Sequence, residues 1–133
     1  MQINMTTFAA RKQQYVHDTL RSLFESDWRA SNSPVNLIVG SKDESHLEYV
    51  GHPMIRIVPR DAETVPSMRL NCTINKIRAL QCGDDEETIT CQDDVLFLPD
   101  WLSSLRLAKA ELATTNTFSA CTPHSRCWRR PAS

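Results

Sequence analysis

The sequence predicts an α+β fold, an antiparallel sheet of about four strands packed against an N-terminal and a C-terminal helix. Three observations carry that expectation. Two stretches, 7–29 and 99–112, repeat apolar residues mostly at steps of three and four, the spacing of one helix face. Between them lie segments of alternating apolar and polar residues, fenced by Pro, Asn, Asp and Ser, which is the mark of strands. The turns between these segments are short, and short turns favour antiparallel pairing over a wind through crossover helices.

Taken in order, residues 1–6 read as a lead-in. Thr6 and Thr7 can cap a first helix, whose stripe is Phe8, Tyr15, Val16, Leu20, Leu23, Phe24 and Trp28. Ser31-Asn32-Ser33-Pro34 breaks it, because Pro34 restricts the residue before it and Asn and Ser favour turns. Val35–Val39 is the first strand, His46–Val50 the second, and Met54–Val58 the third. Pro59 has no N–H for a further ladder bond and closes the third strand. Arg60–Ser67 is a charged loop. Met68–Cys82 is the fourth and longest strand, with Met68, Leu70, Cys72 and Ile74 alternating and a change of phase near Asn75, which suggests a β-bulge. Residues 83–94 carry six acids and no base and read as a solvated loop or the first turn of a helix, where acids are favoured. Pro99-Asp100 opens the second helix, with Trp101, Leu102, Leu105, Ala108 and Leu112 as its stripe. The chain thus reads as one domain over 1–133, with its core at 7–112 and a C-terminal arm or strand at 113–133.

A length of 133 residues is enough to bury a core without metals or disulfides. Hydrophobic content is 41%, charged content 23% and net charge -1, so no global field steers the chain to nucleic acid or an anionic membrane. No apolar run reaches the roughly 20 residues that span a bilayer, and residues 1–10 lack the pattern of a signal peptide. The expected setting is therefore cytosolic.

Candidate chemistry is sparse. With 3 Gly the chain holds no phosphate-cradling loop, and it has no nucleophile elbow and no zincin motif. Five cysteines are present, Cys72, Cys82, Cys91, Cys121 and Cys127, without a Cys-x-x-Cys pair, so reduced thiols are the expectation in a cytosol. Cys121, His124 and Cys127 offer soft sulfur and imidazole donors that suit zinc. This leaves open a small metal-binding or catalytic α+β protein. Neither a cofactor nor catalytic residues are expected from the motifs.

The proline-flanked strand Pro53-Met54-Ile55-Arg56-Ile57-Val58-Pro59, the long run Met68–Cys82 entering Gly83-Asp84-Asp85, and the helices at 7–29 and 99–112 together resemble the tail terminator and tail completion proteins of long-tailed bacteriophages. The resemblance covers roughly residues 7–112. It implies a structural, non-enzymatic virion protein assembled in the host cytoplasm. Such a subunit would form a homo-oligomeric ring, usually a hexamer, at the head–tail junction, with the tail tube and connector as partners. A ring needs two different complementary surfaces. The acidic Asp84, Asp85, Glu86 and Glu87 and the basic Arg126, Arg129 and Arg130 are the expected pair, with Arg60, Asp61 and Glu63 of the charged loop facing the tube or connector.

Overall fold

The computed structural model describes residues 1–7, 15–40, 44–59, 67–82 and 87–114. They fall in two compact units, Met1–Pro99 and Asp100–Ser133. The first contains four strands: β1 (Gln2–Thr6), β2 (Val35–Ile38), β3 (Ile55–Val58) and β4 (Thr88–Gln92). Its helices are α1 (Val16–Glu25) and α2 (Met68–Gln81), with 3-10 turns at Asp27–Ser31 and Ser45–Tyr49.

The sheet order is β3-β2-β1-β4, and each neighbouring pair is parallel. This corrects the expected antiparallel α+β sheet: the fold is Rossmann-like α/β. The strands at 35–38 and 55–58 lie within the stretches expected for them. The other assignments change. The supposed lead-in is β1, paired on both sides and buried along its length. The stretch His46–Val50 is mostly a 3-10 turn in the β2–β3 crossover. The supposed longest strand is helix α2, and the supposed acidic loop contains β4.

Parallel strands need crossover connections that cover both faces of the sheet. Ile3 and Met5 of β1 and Val35 and Leu37 of β2 share one face and are all 0% exposed. The buried stripe Val16, Leu20 and Leu23 of α1 is the apolar surface available to cover them. The opposite face carries Gln2, Asn4, Thr6 and Asn36 together with the buried Ile38, and α2 lies there. Asn4 Nδ2 donates to the carbonyls of Ala79 (2.6 Å) and Cys82 (2.9 Å), and Asn36 Nδ2 donates to Asn4 Oδ1 (2.8 Å).

That polar face explains α2. Ser67 caps it, its hydroxyl accepting from Leu70 N at 3.2 Å. Asn75 and Ala79, one turn apart, are its buried residues. Leu70, Ile77 and Leu80 point away from the sheet and are 48%, 48% and 73% exposed. The helix buries one amide and one methyl and exposes apolar Leu70, Ile77 and Leu80 beside polar Arg69, Thr73 and Lys76, so no apolar stripe marks its buried face. Asn75, where a bulge was expected, is instead mid-helix and packed on the sheet.

The first helix is shorter than the expected 7–29 in the described residues. It begins at Val16 and gives way at Ser26 to a 3-10 turn, with the Ser26 hydroxyl accepting from Trp28 N at 3.2 Å. His17 Nδ1 lies 2.6 Å from the Tyr49 hydroxyl, joining α1 to the β2–β3 crossover. In the second unit, α3 (Trp101–Thr114) starts where a helix was expected, but Leu102 alone of its supposed stripe is buried. No helix among the described residues is long and apolar enough to cross a membrane.

Candidate functional site

In the strand order β3-β2-β1-β4 the chain moves outward from β1 to β3 and then returns to the other side of β1. The direction of winding reverses between β1 and β4. In open parallel sheets a ligand crevice forms at such a switch point, beyond the carboxyl ends of the strands. The structure has a cleft of about 180 Å³ there, lined by Thr6, Thr7, Cys72, Asn75, Lys76, Gln92 and Asp93. Thr6 and Thr7 come from the end of β1, Gln92 and Asp93 from the end of β4. Cys72, Asn75 and Lys76 come from α2, where the i, i+3, i+4 spacing sets them on one face.

The rim of the cleft is held by polar bonds that reach across elements. Asn75 Nδ2 donates to the carbonyls of Thr7 (3.3 Å) and Ile38 (3.4 Å). Arg78 Nη1 donates to Asn75 Oδ1 (2.8 Å) and to the Val39 carbonyl (3.0 Å), and its Nη2 to the Pro59 carbonyl (2.5 Å). One helix thereby ties the carboxyl ends of β1, β2 and β3. Gly40 N donates to Thr7 Oγ1 at 2.9 Å. A Cβ at Gly40 would sit 2.6 Å from the Thr7 carbonyl oxygen, so only glycine lets these two chain ends approach so closely.

On the β4 side, Asp93 is 4% exposed while Asp94 is exposed. The Asp93 carbonyl accepts from Thr19 Oγ1 at 2.7 Å, which fixes the turn after β4 to α1. Burial, with the Asp93 and Asp94 charges adding to it, pushes the Cys91 thiol up to about 12. Cys91 is therefore a protonated, unreactive thiol at neutral pH. The β4 end is an acidic corner, and Lys76 brings a cation to the same cleft.

The sequence-predicted sites fare differently. Arg60, Asp61, Glu63, Asp84, Asp85, Glu86, Arg126, Arg129 and Arg130 lie outside the described residues, as do Cys121, His124 and Cys127. Glu87 is exposed at the start of β4, its carbonyl accepting from Gln2 N at 3.1 Å. Cys72, Cys82 and Cys91 are free thiols. Sequence reasoning missed the cleft residues. The available signal was the β-prone Thr88-Ile89-Thr90-Cys91 running into Asp93-Asp94, a strand ending on an acidic pair.

No family model and no curated protein matches the chain. Solved structures do. Staphylococcus aureus TarS 1–349 matches with a TM-score of 0.60 at 14% identity, over 83% of this chain and 32% of that one. The same protein in complex with UDP-GlcNAc matches with a TM-score of 0.59 at 15% identity, over 84% of this chain and 32% of that one. The chain thus spans about a third of the structures it resembles, and at this identity the likeness is one of fold. The fold overturns the reading as a phage tail terminator ring subunit, which rested on an antiparallel α+β order. The expectation of a purely structural, non-enzymatic protein falls with it, since the solved structures that share this fold include TarS, once in complex with UDP-GlcNAc.

Proposed function

We propose that this chain is a nucleotide-sugar-binding unit of the glycosyltransferase type, with the donor seated in the cleft between β1 and β4. The observation that carries the reading is the position of that cleft: it opens at the switch point of a parallel sheet, and its lining includes a buried aspartate from the end of β4 and a lysine from α2. The fold likeness to TarS, a protein solved with UDP-GlcNAc, supports a ligand of this class.

The residues suit such a donor. Thr6, Thr7, Asn75 and Gln92 offer neutral hydrogen-bonding groups for hydroxyls of ribose or sugar. Asp93 in the lining, with Asp94 next to it in sequence, offers carboxylate oxygens, the donor type that a hard divalent cation takes. Among the described residues no group of three or more His, Cys, Asp or Glu side chains would hold an ion alone. An ion there would arrive with the diphosphate, since Mg²⁺ commonly takes one or two carboxylates plus substrate phosphates. Its contribution would be to offset phosphate charge on the leaving nucleotide. The protein's own part is to fix the donor: α2 holds the strand ends in register, and the Gly40–Thr7 approach keeps the floor of the cleft tight.

Cys72 provides the test, because its thiol lines the cleft. With UDP-GlcNAc present, alkylation of Cys72 by iodoacetamide, followed by peptide mass mapping, is expected to slow severalfold while Cys82 is unaffected. Equal labelling of Cys72 with and without saturating UDP-GlcNAc, UDP and Mg²⁺ would sink the proposal.

A further inference from the structure

The cleft contains a cation that the bonds among the described residues do not use. Arg78 spends its guanidinium on three carbonyl and amide oxygens that tie the strand ends. Lys76, two residues earlier, engages in no hydrogen bond or ion pair among the described residues, yet it lines the cleft one turn after Cys72 and beside the buried Asn75. It is the only basic side chain in the lining, which otherwise consists of neutral groups and Asp93. A dianionic ligand drawn into this cleft meets one carboxylate that repels it and one ammonium that attracts it.

We propose that Lys76 holds the diphosphate of the cleft's ligand. An ammonium on a flexible stem is suited to this, because it binds phosphate as a point charge and can follow it as it moves. The rigid fork of arginine suits the fixed carbonyls that Arg78 ties. The placement also divides the labour in the cleft. Lys76 reads the phosphates from α2, while Asp93 enters the same lining from the end of β4. The identity of the ligand as a nucleotide-sugar rests on the function proposed above, but the recognition of a diphosphate by Lys76 can be tested apart from it.

Calorimetric titration of the full chain with inorganic pyrophosphate and, separately, with UDP-GlcNAc makes that separation. Both are run at constant ionic strength, with EDTA and again with Mg²⁺, on wild type, K76M, K76R and R29M. Lys76 is exposed, so K76M is expected to fold, which circular dichroism checks. The expected result is a pyrophosphate Kd weakened about tenfold or more in K76M with EDTA present, the size of a lost charge-assisted contact. K76R should retain most of the affinity, and R29M, which removes an equal charge from the exposed turn before the amino end of β2, should change nothing. If UDP-GlcNAc fails to bind while pyrophosphate binds through Lys76, the nucleotide-sugar reading falls and Lys76 stands. If K76M binds both as wild type does, the Lys76 assignment falls and the cleft reading stands. Absence of pyrophosphate binding to wild type, or equal weakening in R29M, also overturns the assignment.

Discussion

Asn75→Leu removes the joint on which the cleft depends while keeping the volume of the side chain roughly constant. Asn75 is 3% exposed, so the bonds it makes are made out of water. Its two amide donations, to the carbonyls of Thr7 (3.3 Å) and Ile38 (3.4 Å), are long and belong at the weak end, about 0.5 kcal/mol each. The bond accepted from Arg78 Nη1 is 2.8 Å and charge-assisted, a class worth about 1.5–3 kcal/mol. Together they set an expected loss of about 3 kcal/mol, since leucine also leaves two buried carbonyls without that donor. Asn75→Asp keeps an acceptor for Arg78 but turns a carboxylate towards two carbonyl oxygens, so it should also destabilise. Urea unfolding at pH 7, followed by far-UV circular dichroism, reads both variants against wild type. A loss below about 0.5 kcal/mol for Asn75→Leu, with an unchanged dependence on urea, would refute the claim that α2 is locked to the sheet through this residue.

Three further outcomes follow from the same geometry. Gly40→Ala should cost about 1–3 kcal/mol in urea unfolding, because its Cβ meets the Thr7 backbone oxygen at 2.6 Å and backbone must shift to relieve it; a neutral effect would contradict the close approach. Asp93→Asn should weaken UDP-GlcNAc binding in the presence of Mg²⁺ by about tenfold, as calorimetry would read, whereas unchanged affinity would remove Asp93 from the site. The Cys91 thiol, pushed up to about 12 by burial and by Asp93 and Asp94, binds its proton more tightly in the folded chain than in the unfolded one. Its contribution is therefore complete below about pH 9 and is lost between about pH 9 and 12, at up to about 1.4 kcal/mol per pH unit. Stability measured across that range should fall more steeply in wild type than in Cys91→Ala, and parallel curves would contradict the burial of this thiol.

The parts of the fold that were legible in the sequence are those where hydrophobicity and secondary structure agree. Val35–Ile38 and Ile55–Val58 are β-rich runs between turn residues, and they are strands. Val16, Leu20 and Leu23 share a helical stripe, and it is buried. The failures lie where the sheet presents a polar face to its helix. Gln2, Asn4 and Thr6 gave β1 the look of a tail, although all three are buried. On α2 the buried positions are Asn75 and Ala79, while Leu70, Ile77 and Leu80 face out, so apolar spacing reported the wrong side and the wrong period. Once β1 and α2 were misread, the βαβ order vanished and short turns seemed to demand antiparallel pairing. The cleft was lost for the same reason: its lining comes from the ends of β1 and β4 and from α2, three elements that were assigned to a lead-in, an acidic loop and a strand. In the sequence Asp93 is one acid among six in its stretch. Composition could not separate it from its neighbours, because its burial depends on the parallel pairing of β4 with β1.

The central claim is that a nucleotide-sugar sits at the carboxyl ends of β1 and β4. Backbone amide shifts recorded by NMR as UDP-GlcNAc and Mg²⁺ are added to the labelled chain test it most directly. The expected result is saturable shifts concentrated at Thr6, Thr7, Asn75, Lys76, Gln92 and Asp93, which line the cleft, with little change at the opposite strand ends around Gln2, Val35 and Ile55. Shifts that centre on those opposite ends, or no saturable shift at millimolar ligand, would contradict it.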